Sequence, residues 1–266
     1  MIFINSSFTT DSSARFFLFG LLLLQSSQAA AVSTFQLDDF SNGTTQGWEM
    51  GLSSITATHM TNITDGGPAG TGDRFLEVVA DGSNIAGGKL TFFNQAQWTG
   101  DYLGAGITSI AMDVKNFSSS EALNLRLAIE GGFLDPNNTG EFVGGFFATS
   151  ASVSLDNGSD WTHVVFSLAP GDLTPVSGRS GFGVTGNNVQ AALANVLELR
   201  LLNSASPAWA GSPVVATLGI DNLSAAVPLP PAALLFGSGL MGLGMWRRLT
   251  PNPPAQADSD PGTRQQ

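Results

Sequence analysis

Between residues 35 and 223 the chain breaks into short β-rich runs, most of them flanked by Gly, Asn, Asp or Pro turn chemistry. No other feature restricts the fold as tightly. The runs cover 35–40, 55–60, 75–80, 89–93, 109–114, 124–130, 142–154, 162–168, 196–202 and 215–223. Asp65-Gly66-Gly67-Pro68, Asp81-Gly82, Gly87-Gly88, Gly131-Gly132, Asn157-Gly158 and Pro170-Gly171 lie between them as turn chemistry. Leu123, Leu125, Leu127 and Ile129 alternate with Asn124, Arg126 and Ala128, the period of a strand with one apolar face. Val164 and Phe166 repeat the pattern, with His163 on the opposite side. Only 188–194 reads as a helix. Many short strands at near-regular spacing predict an all-β fold, an antiparallel two-sheet sandwich of jelly-roll type.

One such domain can use all of 32–226, which contains no repeat and no internal linker. That stretch carries six Lys/Arg against eighteen Asp/Glu, a net charge of −12. So acidic a surface repels nucleic acid and anionic lipid. Only 12% of the chain is charged, so solubility must also come from its many hydroxyls and amides. Cysteine is absent, which excludes disulfides, thiol catalysis and Cys-ligated zinc.

Both ends carry short apolar segments. Residues 16–24 (FFLFGLLLL) follow Arg15 and lead into Gln28-Ala29-Ala30-Ala31, small residues that suit signal peptidase; 1–31 therefore reads as a signal peptide. At the other end, 232–246 holds no charge and stops at Arg247 and Arg248. Fifteen helical residues span roughly 22 Å against a bilayer core of ~30 Å, so a transmembrane helix here is marginal. The two arginines would stop it on the cytoplasmic side. The tail 249–266, rich in Pro, Asp and Gln, reads as disordered.

The segment 227–248 resembles the sorting signal of PEP-CTERM proteins in its Val-Pro-Leu-Pro variant. Val227, Pro228, Leu229 and Pro230 match the motif, and 235–240 (LFGSGL) matches the start of the apolar part. Pro231 and the eighteen residues after Arg248 depart from the family pattern. The resemblance implies a Gram-negative bacterium and an inner-membrane precursor. It also implies an exosortase-type membrane peptidase that acts near the prolines and a mature form at the surface or in extracellular polysaccharide. An ordinary membrane anchor is the alternative.

The middle of the chain resembles, more loosely, carbohydrate-binding-module-like jelly rolls. Residues 35–47 (FQLDDFSNGTTQG) with Trp48, 161–168 (WTHVVFSL) and 218–223 (LGIDNL) carry the likeness. It implies that the first and last strands lie side by side. A structural calcium often sits at that junction, and Asp38, Asp39 and Asp221 would converge there as oxygen ligands.

Sugars bind to aromatic faces. Trp48, Trp98, Tyr102 and Trp209 fall in or near expected loops, and Trp98, Asp101 and Tyr102 put two rings and a carboxylate within five residues. These three are the candidate ligand residues; a tryptophan lid over the core is the alternative, and Trp161 reads as such a lid. Phe146 and Phe147 are either an addition to that face or core. For catalysis only His59 and His163 offer imidazole, and no nucleophile elbow, zinc-binding His pair or phosphate loop is present. Glu77, Glu130 and Glu198 lie on expected strands and could supply a glycosidase-type carboxylate pair.

The expectation is an exported, non-enzymatic sandwich used for glycan or surface adhesion, with extracellular polysaccharide as a partner and no nucleic acid. A polysaccharide hydrolase or lyase, and a purely structural matrix protein, are the alternatives.

Overall fold

The computed structural model describes residues 31–134, 142–178 and 187–227. In chain order the strands are β1 (Leu37–Asp38), β2 (Trp48–Glu49), β3 (Met60–Ile63), β4 (Phe75–Asp81), β5 (Thr91–Asn94), β6 (Ser109–Asn116) and β7 (Leu123–Leu134). They continue as β8 (Phe142–Thr149), β9 (Val153–Leu155), β10 (Thr162–Ser167), β11 (Leu173–Pro175), β12 (Val196–Asn203) and β13 (Val215–Ala226). Among the described residues two short α-helices, α1 (Ser53–His59) and α2 (Val189–Ala194), and a 3-10 turn at Pro170–Asp172 join them.

The strands form two antiparallel sheets, as expected of a sandwich. The first is ordered β10-β6-β13-β4-β3, with β1 also on β13; the second is ordered β11-β8-β7-β12-β5-β2, with β9 also on β7. First and last strands do pair, Leu37 with Ser224 and Asp38 with Leu223. Leu123, Leu125, Leu127 and Ile129 all turn inward with Leu199 and Leu201 to meet Ile110, Met112, Val114, Leu218 and Ile220 of the facing sheet. Val164 and Phe166 are buried beside them. Each such side chain contributes about 1.5–3 kcal/mol by leaving water.

Three local readings change. Residues 55–59, read as strand, belong to helix α1, and the strand begins only at Met60. The threonines of α1 satisfy their hydroxyls inside the helix: Thr58 Oγ1 donates to Ser54 and Ile55 carbonyls at 3.2 and 3.0 Å. The run 142–154 is two strands with a turn at 150–152. Gly131-Gly132, read as a turn, lies inside β7 opposite Gly145 and Gly144. A Cβ on Gly131 would lie 2.2 Å from the Ala192 carbonyl oxygen, so the missing side chain is what lets α2 rest on the sheet. The expected helix does form, its N-terminus capped by Asn188, whose side chain accepts from Ala191 N at 3.0 Å.

Among the described residues no helix is long and apolar enough to cross a membrane. Residues 16–24 and the expected membrane segment 232–246, with Pro228, Leu229, Pro230, Arg247 and Arg248, lie outside the described residues.

Candidate functional site

The expected aromatic platform is instead core. Trp98 and Tyr102 are both fully buried, as is Trp48. The reason is a carboxylate sixty residues away. Asp38 turns inward from β1 and its Oδ2 accepts the indole N–H of Trp98 at 2.6 Å and of Trp48 at 2.8 Å. Gln97 Nε2 reaches both its oxygens at 3.0 and 3.2 Å, and Gln36 Nε2 adds 3.1 Å. Burial pushes the Asp38 carboxyl up, and the bonds from Trp98, Trp48, Gln97 and Gln36 hold it down in part. Asp38 sits in one sheet and Trp48 in the other, so this carboxylate ties the two layers together. Tyr102 completes the cluster by donating its hydroxyl to the Trp98 carbonyl at 2.8 Å, and burial raises its phenol. Asp101 is exposed, and its Oδ1 accepts Gly104 N at 2.7 Å in a turn. Trp98, Asp101 and Tyr102 therefore present no common face to a sugar.

The expected calcium trio is also divided. Asp38 and Asp221 lie on opposite faces of their sheet, because Asp38 points at the core tryptophans while Asp221 pairs with outward-facing Asp113. Both oxygens of Asp38 accept from N–H donors, whose positive ends disfavour a cation beside them. Asp39 is at the surface and accepts from Ser41 N and Oγ at 3.1 and 2.9 Å. Asp221 is buried, and its Oδ1 has no hydrogen-bond partner among the described residues. Burial pushes its carboxyl up to about 7; the Asn222 N–H opposes this, and the nearby charges of Asp73, Asp113 and Asp39 reinforce it. A register shift between Asp221 and Ser224, with Asn222 at φ 51°, aims the Asn222 amide at Asp113 Oδ2, 2.8 Å away. Asp113 Oδ1 lies 2.8 Å from His163 Nδ1. Among the described residues no three carboxylates or imidazoles gather as a metal-ligand set.

The outer face of the second sheet holds what the sequence did not disclose. In β12 Leu199 and Leu201 face the core, so Glu198, Arg200 and Leu202 face out, and register puts Phe93 of β5 opposite Arg200. Trp209, in the loop before β13, folds back over this face. Its ring lies 4.0 Å from the Arg200 guanidinium and 4.7 Å from the Phe146 ring, in an edge-on arrangement. Ala128, Phe146, Ala148 and Leu202 form a second apolar cluster beneath it, while Phe147 joins the main core. Arg200 donates Nη1 to the Trp209 carbonyl at 3.1 Å and Nε to Glu198, and its guanidinium stands 5.3 Å from the Phe93 ring.

Beside Phe93 and Arg200 opens a groove of about 600 Å³. Phe93 and Thr91 line its sheet side, Arg200 and Lys89 supply cations, and Asn84 supplies an amide. Exposed Leu52 and Ile85 border it. Among the described residues the lining of the groove holds no carboxylate. Of the glutamates singled out from sequence, Glu77 lies in the other sheet, opposite Gly219. Glu130 and Glu198 are cross-strand partners, but Glu198 is fully buried, with Oε2 accepting Gln95 Nε2 at 2.5 Å and Oε1 taken by Arg200. Glu198 thus stands as the counter-charge of Arg200.

Trp161 is not a core lid either. It stands on the outer face of the first sheet against Phe75 and Phe117, with ring centroids 5.2 and 6.3 Å away, and its indole donates to Gly66 O at 3.0 Å. His59 Nδ1 lies 2.8 Å from the Val79 carbonyl, a packing role.

No family model and no curated protein sequence matches the chain. Solved structures do. A family 11 carbohydrate-binding module from Clostridium thermocellum, in complex with a β-1,3-1,4-mixed-linked tetrasaccharide, is 13% identical with a TM-score of 0.47. The match covers 74% of this chain and 98% of that one. An exo-β-agarase gives 13% and 0.46 over 74% of this chain and 26% of its own. The CBM22-1 xylan-binding domain from Paenibacillus barcinonensis gives 13% and 0.41 over 76% and 100%. The two-sheet sandwich is shown by the strand order and registers themselves.

Proposed function

We propose that the chain is an exported, non-catalytic sandwich that binds a polysaccharide in the groove beside Phe93. The observation that carries this reading is the make-up of that groove. A phenylalanine ring offers a face for sugar C–H groups, while Thr91, Asn84 and Lys89 offer hydrogen bonds at the wall. Hydroxyl, amide and cationic groups with no carboxylate among the described lining residues support binding over cleavage. The net charge of −12 over 32–226 opposes the approach of a polyanion, so this reading takes a neutral glycan, to which Lys89 and Arg200 would offer N–H donors.

Export rests on the signal-like residues 16–24, and retention on the segment 227–248 with its Val-Pro-Leu-Pro motif and closing arginines. β13 ends at Ala226, so Val227 opens that motif directly after the last strand. In this reading an exosortase-type peptidase acts near Pro228 and Pro230 in a Gram-negative envelope. In the same reading a calcium ion would sit on the outer side of the first sheet. There Asp221 offers an orphaned oxygen and Asp39 a second carboxylate, with Asp38 excluded by its four amide and indole donors.

A panel of neutral and acidic polysaccharides, screened by affinity electrophoresis, tests the glycan reading. Retardation by at least one neutral polysaccharide, lost in Phe93→Ala, is expected; no retardation by any would overturn it.

A further inference from the structure

One pole of the sandwich is apolar and, among the described residues, nearly uncharged on an otherwise acidic protein. Four exposed apolar side chains lie there: Phe35 at 91% exposure, Leu37 at 49%, Leu103 at 45% and Val227 at 37%. Main-chain bonds fix them to one end. Ala225 N donates to Gln36 O at 3.1 Å on one side of β13, and Thr108 N donates to Ala226 O at 3.1 Å on the other. Ile107 N bonds Tyr102 O at 2.9 Å, and Val32 N bonds Thr99 O at 2.7 Å, which brings the loop bearing Leu103 and the start of the domain to the same end. A Cβ on Gly106 would lie 3.8 Å from Val227 Cγ1. Residues 31–37, 99–109 and 223–227 contain a single charged side chain, Asp101, whose Oδ1 is turned back on Gly104 N. Asp172, at the neighbouring corner after β10, likewise accepts from Ser167 Oγ at 2.6 Å.

The chain leaves this pole toward its own apolar run. Four residues, 228–231, separate Val227 from the uncharged stretch 232–246, and four residues reach at most about 14 Å. The groove lies at the other end. Its Asn84, Ile85 and Lys89 belong to the loop that pairs with Pro213 and Val214 just before β13 begins. Twelve strand residues put roughly 35 Å between the two ends.

We propose that the Phe35–Leu103–Val227 pole seats on the bilayer surface while the chain is tethered, its side chains entering the interface and the groove facing outward. This rests on the reading of 232–246 as a membrane segment. Apolar side chains gain free energy on entering the interface, and the near absence of charge among the described residues of this pole spares it the repulsion that the rest of the acidic surface would meet.

The chain has no cysteine, so single labels are unambiguous. Phe35→Cys, Leu103→Cys and Ile85→Cys in the full-length chain are each labelled with an environment-sensitive fluorophore. They are then reconstituted into phosphatidylcholine vesicles with brominated acyl chains. Labels at 35 and 103 are expected to blue-shift and lose at least about threefold in intensity relative to the label at 85. Flotation with the vesicles while all three labels stay equally exposed overturns this proposal and leaves the membrane segment standing. Failure to float at all overturns both. A concentration-dependent shift at 35 and 103 without vesicles assigns the pole to a second copy of the chain and overturns the bilayer as its occupant.

Discussion

Replacing Asp38 separates two roles that its position could serve. In Asp38→Ala the indole N–H groups of Trp48 and Trp98 lose their shared acceptor inside a sealed core. A buried donor left unsatisfied costs about 1–3 kcal/mol, so the pair costs about 2–6 kcal/mol, a large part of a domain's ~5–15 kcal/mol. Asp38→Asn keeps an oxygen where both indoles point and removes the charge that burial penalises. Its amide can face Gln36 and Gln97 once those side chains turn over, so it should stay within about 1 kcal/mol of the parent. Urea unfolding followed by tryptophan fluorescence and near-ultraviolet circular dichroism measures both. The sign of the pH effect is fixed as well. A folded-state pKa above the unfolded one stabilises at low pH, and that contribution fades as pH rises through the folded value. The parent therefore loses this stabilisation from acid toward neutrality, and Asp38→Asn does not. A loss below about 1 kcal/mol in Asp38→Ala, or an equal loss in both variants, would refute a satisfied core carboxylate.

Other outcomes follow from the same geometry. Asp221, pushed up to about 7, stabilises the fold below the ordinary carboxylate range and loses that effect as pH approaches and passes 7; Asp221→Asn should flatten the melting-temperature profile between pH 4 and 8. A melting temperature that falls just as steeply in the variant would exclude Asp221 as the source. Arg200→Ala leaves Glu198 buried without its guanidinium and should cost about 3–5 kcal/mol in chemical unfolding; a cost under 1 kcal/mol would contradict the pairing. Gly131→Ala forces α2 away from β7 and should destabilise by about 1–3 kcal/mol, visible as a lower urea midpoint.

What was legible in the sequence was what local periodicity controls. The leucines at 123, 125 and 127 announced a one-faced strand, and Asn188 announced a helix start, because both signals lie within a few residues of what they specify. Residues 55–59 misled because isoleucine and threonine favour strands by side-chain shape, whereas Thr58 found its hydrogen bonds inside a helical turn. Gly131 reads as a turn residue until a helix packs on it from sixty residues further along. The site was harder for the same reason. Trp98, Asp101 and Tyr102 look like a sugar platform only while Asp38 is out of view. The groove gathers Leu52, then Ile85, Lys89 and Phe93, and then Arg200 from three separate stretches. One local sign was available: in Phe92-Phe93 strand alternation must send one ring outward, and it sends Phe93.

The most direct test of polysaccharide binding beside Phe93 is an isothermal titration of a retarding neutral polysaccharide into the parent and into Phe93→Ala, with both folds checked by near-ultraviolet circular dichroism. Loss of one stacking ring should weaken binding by about tenfold, the equivalent of ~1.4 kcal/mol. Unchanged affinity in a folded Phe93→Ala would place the sugar elsewhere and contradict the account.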